Sequence, residues 1–197
     1  MTNVSPTEED VASLLLKTHD AGRSVLSAAL RILREGGEDE VIRYVAATVV
    51  RFMSLVSLRH ELDEEQIVIP ALRAHGPRSE VEAALAYIFD DHLVHEGLRE
   101  QLRLRWQRVA DAAAELGPVR EELLSMTEQF AHVLERHARH EELVVFPLVR
   151  KYVSLGVRAA MMAVLASREQ MAPLVLPSGL PASRDCLAIK PVVPPKR

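Results

Sequence analysis

One stretch of this chain occurs twice. Arg59 to Leu72, RHELDEEQIVIPAL, returns as Arg136 to Val149, RHARHEELVVFPLV. Aligning the two pairs His60 with His137, Glu64 with Glu141, Glu65 with Glu142 and Pro70 with Pro147, each pair 77 positions apart. Both copies place His-x-x-x-Glu in a segment of helical apolar spacing. Residues four apart on a helix lie one turn apart on the same face, their Cβ atoms roughly 5–6 Å apart. An imidazole and a carboxylate so placed can address one point. Two such helices facing each other can hold two metal ions between them.

The duplication reaches further upstream. His19-Asp20-Ala21-Gly22-Arg23, followed by Leu26, aligns with His95-Glu96-Gly97-Leu98-Arg99, followed by Leu102, at an offset of 76. Each half is therefore a helix with a histidine, then a helix with His-x-x-x-Glu. Ser5-Pro6-Thr7-Glu8-Glu9 has the pattern of a helix start, and Leu15, Leu16, Leu26, Leu30 and Leu33 continue it at helical period. Gly36-Gly37 ends that segment. A second helix is expected over 38–73, with Pro70 kinking it or ending its regular part. A third is expected over 79–116 and a fourth over 119–152, separated by Gly117-Pro118. Long helices joined by short breaks read as an all-α, up-down-up-down four-helix bundle over residues 1–155. Residues 156–197 are expected to hold a short fifth helix, 156–169, and then a proline-rich tail running from Pro173 to Pro195.

Composition narrows the class of function. Aromatic residues make up only 4% of the 197 while hydrophobic residues make up 48%, so Leu, Val and Ala carry the packing, as suits helices. A formal charge of −4 argues against nucleic acid as a partner. Cys186 is the single cysteine, which leaves no cysteine metal motif and no internal disulfide. The polar, acidic start MTNVSPTEED lacks the basic-then-apolar pattern of a signal peptide. No uninterrupted apolar run reaches the roughly 18 residues of a membrane span. A soluble, cytoplasmic protein without a membrane or nucleic-acid partner is the expectation.

The candidate ligands are His19, His60, Glu64, His95, His137 and Glu141. Imidazole suits iron, zinc and copper, and two carboxylates can bridge a pair of ions and offset part of their charge. Structural zinc needs only four ligands, often with cysteine among them. Ferritin-like centres use four carboxylates to two histidines, whereas here the balance is inverted, which favours a histidine-rich di-iron centre. His92 lies three residues before His95 on nearly the same face, and either can reach the metal; the repeat favours His95. Glu65 and Glu142, about 100° round the helix from the ligand glutamates, read as solvated or supporting groups. His75, His132 and His140 read as loop, structural and rim residues, and Arg99, Arg103 and Arg108 as a solvated face.

These residues resemble the hemerythrin-like (HHE cation-binding) family, whose pattern is a histidine followed by His-x-x-x-Glu, twice. The likeness covers about residues 10 to 152 and is most specific at His60, Glu64, His137 and Glu141. It implies a four-helix bundle holding two iron ions bridged by oxo or hydroxo and by both glutamates. It also implies binding of, or reaction with, O2, NO or peroxide, or alternatively iron storage, iron donation or repair of iron centres. Counting ligands leaves each ion one open position. Gly22 and Ala21 would leave room there, with Ile67 and Val144 as an apolar wall.

Overall fold

The computed structural model describes residues 10–171. Within them the chain is helical and contains no strand, as the sequence leads one to expect. Helix α1 (Val11–Glu35) is capped by Asp10, whose extended backbone lets its carboxylate accept the Ser13 amide at 2.8 Å. The start expected at Ser5-Pro6 lies outside the described residues, as does the proline-rich tail. Gly36, at φ 80°, ends α1 in the left-handed region that glycine alone enters without cost. Helix α2 (Asp39–His75) follows as one 37-residue run.

Pro70 neither ends nor breaks α2. The turn before it, Glu64–Val68, is widened to π form, and Glu141–Val145 does the same before Pro147. Proline donates no N–H and its ring presses on the carbonyl four residues back. A π turn, with its longer i→i+5 bonds, lets the helix take up such an insertion and continue. Both widened turns begin at the repeated glutamate, so the feature that accommodates proline also sets the direction of the carboxylate.

The expected third helix, 79–116, is divided. Helix α3 (Arg78–Leu85) stops at a turn over Ala86 and Tyr87, and α4 (Ile88–Asp111) starts afresh. The turn lets Val81, Ala84 and Leu85 seal one end of the molecule while Leu102, Trp106 and Val109 enter the opposite end. Gly117-Pro118 lies inside the first turn of α5 (116–152), where a missing N–H costs nothing because those groups lack helical partners anyway. Helix α6 (Leu155–Met171) packs on α1 and buries Met161 and Leu165. Arg59 donates to the Arg168 carbonyl at 2.7 Å, and Arg168 to Asp63 at 2.5 Å, fastening α6 to α2.

Helices α1 and α4 each pack against both α2 and α5. The apolar side chains form two separate cores. One contains Leu26, Phe52, Trp106 and Phe130; the other contains Leu15, Ile69, Leu85, Phe146 and Leu165. Between them lies a layer of buried histidines, glutamates and one arginine. On length and composition α2 could cross a bilayer, but half of its most apolar window is buried inside the fold, as in the core helix of a bundle.

Gly22 does not leave room for a ligand. A Cβ there would come within 2.8 Å of the buried Phe52 ring and 3.2 Å of Leu134, so glycine is what lets α1 and α2 approach. Gly97, on the exposed side of α4, would meet nothing within 4 Å. Alanine in a helix interior gains about 1 kcal/mol over glycine, and overpacking a core costs about 1–3 kcal/mol. Urea unfolding of metal-free protein should therefore show Gly97→Ala more stable by up to about 1 kcal/mol. Gly22→Ala should instead be less stable than the parent chain.

Candidate metal centre

The repeated motif puts His60 and Glu64 on α2 and His137 and Glu141 on α5, with His19 entering from α1 and His92 from α4. The six are buried and fall into two groups, His19–His60–Glu64–Glu141 and Glu64–His92–His137–Glu141. In each group one donor atom per residue lies within 4.8 Å of the others. Both carboxylates belong to both groups.

The geometry carries an approximate twofold relation. His60 Nε2 is 3.1 Å from Glu64 Oε1, and His137 Nε2 is 3.0 Å from Glu141 Oε1. Across the helices, His19 Nε2 is 3.0 Å from Glu141 Oε2, and His92 Nε2 is 3.4 Å from Glu64 Oε2. Even so, both Glu64 oxygens, Glu141 Oε2 and the Nε2 atoms of His92 and His137 have no hydrogen-bond partner of acceptable geometry. Leaving a buried polar atom unpaired costs about 1–3 kcal/mol each, and this many in one place suit the binding of a cation. His19 Nε2 and His60 Nε2 approach to 3.0 Å with their rings at 80°. Two nitrogens at right angles on one ion, each about 2.1 Å from it, would stand about that far apart. The donor set fits a metal.

Without metal, protons take up part of that role. Burial opposes charge on His60, yet Glu64 and Glu141 outweigh it and raise its pKa to about 10. Burial likewise opposes charge on His137, and the same two carboxylates raise it to about 11. Burial and the neighbouring Glu64 push Glu141 up, but His137 and His19 prevail and bring it to about 2. Glu64 is also held well below the usual carboxylate range, by His60, His137 and His92 against the cost of burial.

Five of the six ligands expected from sequence, His19, His60, Glu64, His137 and Glu141, are brought together here. His95 is not in either group. It is buried one turn deeper, its ring 4.7 Å from that of His137 and its Nδ1 3.5 Å from Glu61 Oε1. The place the repeat assigned to His95 is taken by His92. The alignment of α1 with α4 is thus one turn out of register, because the break at Ala86–Tyr87 gives α4 its own start. Arg99 is not on a solvated face either: it is buried, with Nη1 2.6 Å from both oxygens of Glu61. No spacing in the sequence marked that pair.

His75 and His132 are exposed, and the His140 ring bonds the Ala84 carbonyl at 2.7 Å, tying α5 to α3. Val144 is exposed and Ile67 packs with the end core, so the apolar wall expected from them is not formed by Val144. A groove of about 410 Å³ opens beside His92 between α2 and α4, lined by Leu62, Glu65, Phe89, His92 and Leu93 among others.

Residues 88–174 match the family model described as the Hemerythrin HHE cation binding domain. The match takes in His92, His95, His137 and Glu141, the second of the two halves, and bears out over that half the resemblance read from the motif. No curated protein and no solved structure matches the chain. The matched family model and the buried His/Glu cluster point the same way, to a helical fold whose side chains could hold a cation.

Raised histidine pKa values have two consequences with fixed signs. In the metal-free protein the stabilisation from His60 and His137 is complete below 6.5 and is lost as pH rises through about 10 to 11. That from Glu141 is complete above 4.5 and is lost as pH falls through about 2. Urea unfolding of metal-free protein should therefore show stability falling from pH 6.5 towards pH 10. Ligating imidazoles must also shed their protons, so calorimetric titration with metal near neutral pH should show proton release, and affinity should weaken as pH is lowered.

Proposed function

We propose that this chain is a non-haem di-iron protein that binds or reacts with a small ligand, O2, NO or peroxide, in a hemerythrin-like four-helix bundle. The observation that carries the reading is the sharing of Glu64 and Glu141 by two four-residue groups. Two carboxylates common to both positions, with two histidines private to each, describe a pair of ions rather than one. His19 and His60 would hold one iron, and His92 and His137 the other. Bound iron, in an oxo- or hydroxo-bridged pair, would supply one-electron redox chemistry and open positions for a small molecule.

What the chain supplies is positioning and exclusion. The four histidines and two glutamates are held by four different helices between two apolar cores. A charged substrate would pay a desolvation cost there that O2 or NO would not. Apolar rings border the polar layer, with Phe146 stacked 5.7 Å from His19 and Phe130 6.1 Å from His95. A cytoplasmic setting suits ferrous iron and a lone cysteine. Iron storage, donation or repair of iron centres is the second reading, and the groove that reaches His92 favours it, since iron could leave by that path.

Elemental analysis of reconstituted protein should give two irons per chain. Glu64→Ala and Glu141→Ala should each lose the pair, while Glu65→Ala and Glu142→Ala should still load two under saturating iron. One ion per chain, preference for zinc, or equal loss from all four variants would overturn the dinuclear reading. Shifts in the visible spectrum of the reduced protein on adding NO would support gas chemistry. Ready and complete extraction of both irons by a chelator, without such shifts, would support iron handling.

A further inference from the structure

The two halves of the centre match in their donors and differ in what stands behind them. Glu65 and Glu142 each follow a shared glutamate by one position and so point about 100° away, towards the neighbouring helix. The His92 Nδ1 donates to Glu65 Oε1 at 2.7 Å, and the His19 Nδ1 to Glu142 Oε1 at 2.9 Å. With Nδ1 as donor, Nε2 is left free to ligate and the ring is aimed. His60 and His137 have no such bond at Nδ1. In each Glu-Glu pair the first glutamate faces the centre, and the second clasps the lone histidine of the adjacent helix.

The clasps are not equally firm. Glu142 is itself pinned: Arg23 Nη2 donates to its Oε1 at 2.8 Å while Arg23 Nε donates to Glu135 at 2.7 Å. Among the described residues Glu65 pairs with no lysine or arginine. The space beside His19 and Arg23 is about 10 Å³, hardly a water molecule's worth. Beside His92 and Glu65 lies the groove of about 410 Å³. Turning His19 out of place requires Glu142 to move against Arg23. Turning His92 out requires one bond to Glu65 to break, next to open solvent.

We propose that the two metal positions exchange unequally: Glu142, pinned by Arg23, locks His19 in place, whereas Glu65 lets His92 swing into the α2–α4 groove and makes the ion held by His92 and His137 the exchangeable one. The inference rests on the di-iron reading. Glu65 and Glu142 act through the histidines they hold and are positioning residues.

The test is release of iron from the loaded full-length protein to an excess of a water-soluble ferrous chelator, followed by absorbance without oxygen. Wild-type protein should release its iron in two phases of one ion each. Glu65→Leu should speed the fast phase by about 10–100-fold, the range typical for loss of a group that orients a metal-bound histidine, and leave the slow phase unchanged. Glu65→Gln, whose side-chain carbonyl can still accept from Nδ1, should restore most of the wild-type rate. Arg23→Gln should speed the slow phase alone, and His92→Ala should retain one iron released at the slow rate. A general loosening of the bundle would move both phases together and would overturn the proposal, as would a single phase carrying both ions. Fewer than two irons in the loaded wild-type protein would overturn the di-iron reading itself.

Discussion

Two like charges buried side by side govern this molecule. Glu64 and Glu141 are almost wholly shielded from water, and Glu64 makes Glu141 harder to ionise. Charges in such a place persist only with opposite charge against them. The fold supplies four histidines, one from each long helix, and each can answer in two ways: by taking a proton or by ligating a cation. Protons and a bound cation would therefore be two solutions to one electrostatic problem. The helices need not be rebuilt between them, because their apolar cores lie outside the charged layer.

Iron, if it occupies the pair, enters a site whose ligands were already competing for positive charge. That competition makes proton and metal binding two sides of one equilibrium. It also explains why the ligand set is rich in imidazole: a neutral donor adds no further negative charge to a centre where two carboxylates are already difficult to bury. The Glu61–Arg99 pair, one turn from His95, follows the same rule: burial opposes the charge on Glu61, and His95 and Arg99 together hold its carboxyl below the ordinary range.

Much of this was legible in the sequence because it depends on short helical spacings. His-x-x-x-Glu places both side chains on one face whatever the tertiary context, and the 77-residue offset shows that it is done twice. The choice of His92 over His95 was not legible. Both lie on nearly the same arc of α4, and the alignment that favoured His95 assumed that α4 begins in phase with α1. The two-residue turn at Ala86–Tyr87 decides the phase, and neither residue is a strong helix breaker. The small residue at Gly22 was visible, but whether it opened a space or filled one depended on Phe52, thirty positions away on α2. The prolines were visible too. What they require, a widened turn just before each, depends on strain relief that composition does not reveal.

The division of the apolar interior into two cores has a mechanical meaning. Each core is built from several helices, and the polar layer separates them, so the ends of the bundle resemble two blocks joined by four rods. The blocks share helices but form separate apolar clusters, so one can open locally without exposing the apolar surface of the other. A cation pair held simultaneously by α1, α2, α4 and α5 would act as a rivet through all four rods at mid-length, turning two loosely coupled blocks into one cooperative unit.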